Sequence, residues 1–306
     1  VSGNWNANVN VLALTEGVHL VSVYANDSTN NVNKSTNITI TIDRTAPNVS
    51  IVNPSNASNF TSGLQAFNVS MRDNFTQVQT VLLMFNTNNT AFNVTLTNVS
   101  GDWNANVNMA TVNEGPHTVR VYANDTVSNV NTTQTLSFTV DRTAPNVSIV
   151  NPSNASNFTS GLQAFNVSMR DNFTQVQTVL LMFNTNNTAF NVTLTNVSGN
   201  WNANVNMATI NEGPHTVRVY ANDTVSNVNT TQTLSFTVDR TAPNVTITGP
   251  SAGAIVSGVH SFNATVRDNT TLVNTVIFQF SNGTTPFNRT ASNTSGTWIV
   301  SLNTEL

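Results

Sequence analysis

The chain is 306 residues long, 39% hydrophobic and only 8% charged, with a formal net charge of -4 at pH 7. Lys34 is the single lysine, so no basic face exists for nucleic acid, and no apolar run approaches the ~18 residues that span a bilayer. Cysteine is absent, which removes the disulfide staples of small secreted scaffolds and leaves each domain to stand on its core. Surface polarity is neutral instead: Asn, Thr and Ser number 54, 48 and 27.

In chain order, the opening segment VSGNWNANVN at Val1 returns as VSGDWNANVN at Val99. APNVSIVNPSNASNFTSG starts at Ala46 and again at Ala144, and Pro47, Pro145 and Pro243 set a spacing of 98 residues. Between Ala46–Thr143 and Ala144–Thr241 only two positions differ, Asp102 against Asn200 and Val112 against Ile210. A diverged copy starts at Ala242 and runs past Trp298, the match of Trp103 and Trp201. Residues 1–45 are therefore expected to be the C-terminal half of a domain, 46–143 and 144–241 whole domains, and 242–306 the N-terminal part of a diverged one. The partial copies leave two expectations open: a window on a longer chain, or half-domains that complete each other between subunits. A catalytic site is needed once, whereas a spacer gains reach with every copy.

Apolar and polar residues alternate throughout, the period of half-buried strands. In the first whole repeat this predicts seven strands: Asn48–Val52, Ala66–Met71, Val78–Phe85, Thr90–Thr97, Trp103–Met109, His117–Asn124 and Thr132–Val140. Turn-forming clusters such as NPSNAS, NTNN, NVSG and NEGP separate them. The inward set runs Val49, Ile51, Phe67, Val69, Met71, then Val81, Leu83, Phe85, then Phe92, Val94, Leu96, Trp103 and Val107, and closes with Val119, Val121, Leu136, Phe138 and Val140. Such a pattern predicts an all-β fold of tandem immunoglobulin-like, seven-stranded β-sandwich domains.

The motifs DRTAP, a second strand ending RDN, NEGPHTVRVYAND and TLSFTVDRTAP make the chain resemble bacterial-type immunoglobulin-like tandem repeats, in the Asn/Thr-rich form of archaeal cell-surface proteins. The resemblance covers the whole chain and implies a structural role in stalks, adhesins, surface layers or filaments. Relatives often carry Tyr where this chain has His19, His117 and His215; all three are expected to be hydrogen-bonded core histidines.

The N-x-S/T acceptor pattern for N-glycans occurs in the first partial copy at Asn26, Asn33 and Asn37. In the first whole repeat it occurs at Asn48, Asn56, Asn59, Asn68, Asn74, Asn88, Asn93, Asn98, Asn124 and Asn131. The second repeat has Asn146, Asn154, Asn157, Asn166, Asn172, Asn186, Asn191, Asn196, Asn222 and Asn229, and the diverged copy Asn244, Asn263, Asn269, Asn282, Asn288 and Asn293. Strand alternation writes such triplets by default, because Asn and Ser/Thr two apart share a face. In a secreted protein the exposed ones are expected to carry covalent glycans.

Acids are few. If the loops follow the immunoglobulin pattern, Asp171 and Asp223 lie beside Glu114 and Asp141 of the preceding domain, an oxygen-ligand set of the kind calcium takes. The bland reading is that Arg72, Arg142 and their equivalents neutralise these acids while Asp and Asn cap turns. No other cofactor is implied. The short linker before each Pro restricts the chain locally, so a semi-rigid rod is expected. In the third strand Leu82 and Met84 must point outward, as must Tyr122 on its neighbour; with Leu180, Met182 and Tyr220 they form an expected apolar contact face for self-association. With no Cys nucleophile, no phosphate-cradling glycine loop and no zinc spacing, the chain reads as a non-enzymatic, heavily N-glycosylated extracellular repeat protein. Its expected role is the shaft of a cell-surface filament or stalk, with an adhesin stalk or surface-layer component as the alternative.

Overall fold

The computed structural model describes residues 3–305 apart from 87–90, 185–188, 282 and 284; the acceptor asparagines Asn88, Asn186 and Asn282 lie outside the described residues. The chain divides into two compact units, Val1–Thr143 and Ala144–Leu306.

The first unit opens with a short 3-10 turn at Val11–Ala13 and strands β1 (Gly17–Val21), β2 (Tyr24–Asn26), β3 (Val32–Lys34) and β4 (Ile38–Ile42). β1 pairs with β4 and β2 with β3, and no further sheet covers them among the described residues. Trp5 is accordingly 98% exposed, against 8% for its equivalent Trp103.

The first whole repeat follows as β5 (Asn48–Asn53), β6 (Ser58–Phe60), β7 (Leu64–Arg72), β8 (Val78–Asn86), β9 (Ala91–Thr95) and β10 (Thr97–Val99). It continues with β11 (Asp102–Asn108), β12 (Gly115–Asp125), β13 (Val130–Asn131) and β14 (Thr135–Val140). One sheet has the order β10-β11-β7-β5; the other runs β6-β14-β12-β8-β9, with β13 pairing β12. β6 lies parallel to β14. In β12 burial alternates residue by residue over the whole strand, as the period-2 pattern requires.

Every residue of the inward set lies in one core, either buried or packed against it. Phe67 of one sheet meets Phe85 and Phe138 of the other at centroid distances of 5.7 and 6.4 Å, and those two rings are 6.1 Å apart. Edge-to-face contact of this kind adds to the area each ring removes from water.

Three details depart from the expected strands. The run Thr90–Thr97 is split: Ala91–Thr95 joins one sheet and Thr97–Val99 the other. Leu96 between them is 1% exposed and its N–H bonds Val81 O at 3.0 Å, so the chain crosses sheets without breaking the apolar alternation. β6 adds an edge strand absent from the seven. Met109 closes the strand into a 3-10 turn, Met109–Thr111, capped by Asn108, whose Oδ1 accepts from Ala110 N.

In the second unit, residues 144–241 repeat this order of strands, with the edges Asn146–Asn151, Ser156–Phe158, Ala189–Thr193 and Thr195–Val197. Residues 242–306 form a four-stranded sheet and a separate two-stranded hairpin, Ile277–Phe280 with Phe287–Thr290.

Candidate functional site: the junction between repeats

The linker Asp43-Arg44-Thr45-Ala46-Pro47 is short and held on both sides. Glu16, just before β1, accepts from Arg44 N at 2.6 Å and from Thr45 Oγ1 at 2.7 Å. Arg44 Nη2 donates to Val11 O and Leu14 O at 2.7 and 3.0 Å. On the following repeat, Asn131 Nδ2 reaches back to Pro47 O at 2.9 Å. Phe75, in the loop after β7, lies 3.9 Å from where a Cβ on Gly17 would stand; Gly17 also has φ +123°, a conformation L side chains rarely adopt.

Carboxylates converge beneath this linker. Asp43, Asp73 and Asp125 each bring an oxygen to within 4.8 Å of the others. Asp43 comes from the linker, Asp73 from the loop after β7 and Asp125 from the end of β12. Each is also built into a turn. Asp73 Oδ1 accepts from Phe75 N at 3.1 Å and Thr76 N at 2.7 Å. Asp125 is fully buried; its Oδ1 accepts from Val127 N and Asn129 N, both at 2.9 Å, and its Oδ2 from Asn129 Nδ2 at 2.8 Å. Thr76 Oγ1 donates to Asp43 Oδ2 at 2.6 Å, so one hydroxyl ties the linker to the next repeat. Three hard oxygen donors in this space can hold a cation of the calcium type.

Of the four acids expected at such a site, Asp141, Asp171 and Asp223 are the sequence equivalents, one repeat on, of Asp43, Asp73 and Asp125. Within their own units they make the same turns: Asp141 accepts from Thr143 N, Asp171 from Phe173 N and Thr174 N, and Asp223 from Val225 N and Asn227 N. Glu114 is a correction. Its carboxylate accepts from Arg142 N and from Thr143 Oγ1, just as Glu16 holds its own linker, and neither glutamate belongs to a described carboxylate cluster. Of the arginines read as neutralising these acids, Arg142 donates to the carbonyls of Met109 and Val112, both at 3.0 Å. An arginine–glutamate pair appears among the described residues as Arg240–Glu212, at 3.9 Å.

The diverged copy keeps the tie. Thr271 Oγ1 donates to Asp239 Oδ2 at 2.6 Å, and hydrogen bonds from the N–H groups of Thr271 first, then Thr270, hold the Asp268 carboxyl below the usual carboxylate range. Thr270 stands where the other copies have Phe75 and Phe173.

Elsewhere, His117 and His215 are buried and bond through Nε2 to Asn113 O and Asn211 O at 2.7 Å; half-buried His19 does the same to Thr15 O. The expected contact face points outward, yet Leu82 and Tyr122 are half-buried because they sit opposite each other across β8 and β12. Met84 and Met182 are each 37% exposed, and Leu180 and Tyr220 repeat the half-buried pair. No described helix is long and apolar enough to cross a membrane.

The two packed sheets and their order define a tandem immunoglobulin-like sandwich protein. Family models agree: "Bacterial Ig-like domain (group 3)" matches residues 101–198 and 199–288, "Bacterial Ig-like domain" matches 157–240, and "Bacterial Ig domain" matches 47–121. The chain belongs to the bacterial Ig-like domain (group 3) family. No curated protein sequence matches it. Among solved structures it is similar to a tetra-tandem repeat from the extending region of a large adhesion protein, with 16% identity, 98% of this chain and 77% of that one covered, and a TM-score of 0.34. It is likewise similar to a 1.5-MDa bacterial ice-binding adhesin, at 15% identity, 84% and 86% coverage and a TM-score of 0.37. The fibronectin(III)-like modules of Clostridium thermocellum CbhA match at 15% identity, 62% and 93% coverage and a TM-score of 0.33.

Proposed function

We propose that the chain is a non-enzymatic spacer of the cell surface: an extracellular, N-glycosylated array whose repeats add length to a filament shaft or stalk. The observation that carries this reading is the linker held from both sides, by Glu16 and the carbonyls of Val11 and Leu14 before it and by Asn131 and Thr76 after it. A binding module needs a distinct surface, whereas these two repeats differ at two positions in 98 residues. Lateral self-association through the Leu82, Met84 and Tyr122 face is part of the same reading. The test is particle length against repeat number in native surface material.

Calcium fits the Asp43, Asp73 and Asp125 trio as the ion that stiffens that junction. Millimolar calcium is expected to raise Tm relative to chelator, because a ligand that binds only the folded state at about 100 times its Kd adds ~2.7 kcal/mol. The rise should shrink in the variant Asp73→Asn. An equal Tm in calcium and chelator would leave the junction to its hydrogen bonds alone.

A further inference from the structure

We infer that N-glycans occupy the edge strands of each sandwich and close its open β-edges, while the half-buried acceptor asparagines of the other strands stay bare. The inference rests on the glycosylated-spacer reading above and says which sites carry sugar and why.

The two sheets end in four edge strands, β5 and β10 of one and β6 and β9 of the other, apart from the two-residue β13 that flanks the tip of β12. Each carries one acceptor asparagine, and each of these is exposed: Asn48, Asn98, Asn59 and Asn93. The second repeat matches with exposed Asn146, Asn196, Asn157 and Asn191. In the diverged copy the triplets read NVT, NRT and NTS, yet Asn244, Asn288 and Asn293 are again exposed on edge strands. An unpaired edge is a template for adding another chain, and a chain with so little charge cannot defend it with lysines.

Inner strands differ. Asn68 on β7 and Asn124 on β12 are half-buried. Asn124 Nδ2 donates to Gln79 Oε1 and Asp125 O, both at 3.2 Å, and its Oδ1 is buried without a partner. Asn131, on the short flank β13, is half-buried as well and spends Nδ2 on Pro47 O at 2.9 Å and Oδ1 on Thr133 N and Oγ1. Glycan transfer joins Nδ2 to the anomeric carbon of a lipid-phosphate-linked oligosaccharide. The lipid phosphate leaves with the electrons of the anomeric C–O bond, and one amide proton passes to a base of the transferase. At Asn124 the product keeps one N–H and loses one of its two donor bonds; at Asn131 the sugar would stand beside the Nδ2–Pro47 O bond that holds the linker. Asn98 engages only Oδ1, with Gly101 N at 3.0 Å, and keeps Nδ2 for the sugar.

Strand alternation explains acceptor triplets on inner and edge strands alike. It does not explain Ser100. Ser100 and Gly101 form the two-residue turn between β10 and β11, where Val99 faces Asp102, with φ of +55° and +99°. A turn with both central residues left-handed favours Asn-Gly over Ser-Gly. Serine nevertheless stands there in all three copies, as Ser198 at +52° and Ser295 at +51°. That hydroxyl is the third member of the Asn98, Asn196 and Asn293 triplets; Ser128 and Ser226 hold φ of +71° and +70° outside any triplet, so glycan transfer adds one reason for serine in this turn.

Glycopeptide mass spectrometry of the native surface protein should find carbohydrate on Asn48, Asn59, Asn93, Asn98 and their copies, and none on Asn68, Asn124, Asn131 or their copies. Equal occupancy of inner and edge sites, or bare edges, would overturn the inference. Ser100→Asn with Ser198→Asn should abolish the sugar at Asn98 and Asn196 while raising the Tm of enzymatically deglycosylated protein; a lower Tm would remove the turn argument. Deglycosylated protein should sediment as larger species than the glycosylated form, and unchanged sedimentation would overturn the sealing role. Long particles bearing glycans on inner strands would contradict this inference and leave the spacer reading standing.

Discussion

Phe138→Ala is expected to destabilise its repeat by about 3–5 kcal/mol, against the ~5–15 kcal/mol that holds a typical domain together. Phe138 is 2% exposed and sits where the sheets meet, with ring centroids 5.7 Å from Phe60, 6.4 Å from Phe67, 6.1 Å from Phe85 and 5.3 Å from His117. Truncation removes apolar area and leaves a void that rigid strands on both sides cannot close. The second repeat keeps Phe236 in the same surroundings and serves as internal reference. Calorimetry should resolve an early transition for the altered repeat and an unmoved one for its neighbour. A loss below about 1 kcal/mol would mean the core is not built around this ring.

Asp125→Ala is the second large effect, with two opposed terms. The carboxylate satisfies Val127 N, Asn129 N and Asn129 Nδ2 from a fully buried position, and its loss strands those donors at about 2–3 kcal/mol. Against this, Asp43 and Asp73 lie close enough to repel it, and two charges 4 Å apart near a surface cost each other ~1–4 kcal/mol before screening. Asp125→Asn separates the terms, because it keeps the Oδ1 acceptor and removes the charge. In chelator, denaturant melts should place Asp125→Asn well above Asp125→Ala. If the two are equally costly only when calcium is present, the charge is serving a bound cation rather than the turn.

How far the sequence could be read differs from element to element. Alternation marked the whole inward set, because a strand with one wet face has no other way to bury Phe67 or Val119. It missed the sheet change at Leu96, since a buried residue at the crossing keeps the alternation intact. It also missed β6, because three residues are too few to display a period and parallel pairing to β14 leaves no turn signal. The loop positions of the aspartates do not separate a turn cap from a metal ligand, and each does cap a turn. Glu114 reaches the N–H of its own linker, a contact set by side-chain length rather than by position along the chain. The outward direction of Leu82 and Tyr122 followed from period, but their half-burial depends on facing each other across strands. Acceptor asparagines all look alike as letters, and burial and hydrogen bonding separate Asn98 from Asn124.

Cryo-EM of the native surface material that contains this chain tests the spacer account most directly. Eight-residue strands at ~3.3 Å per residue, with their loops, make each repeat about 35–40 Å long. The account predicts extended particles or fibres with that axial period and branched density at the edge-strand asparagines. Compact bodies, or a flat lattice whose repeat does not change with the number of domains, would contradict it.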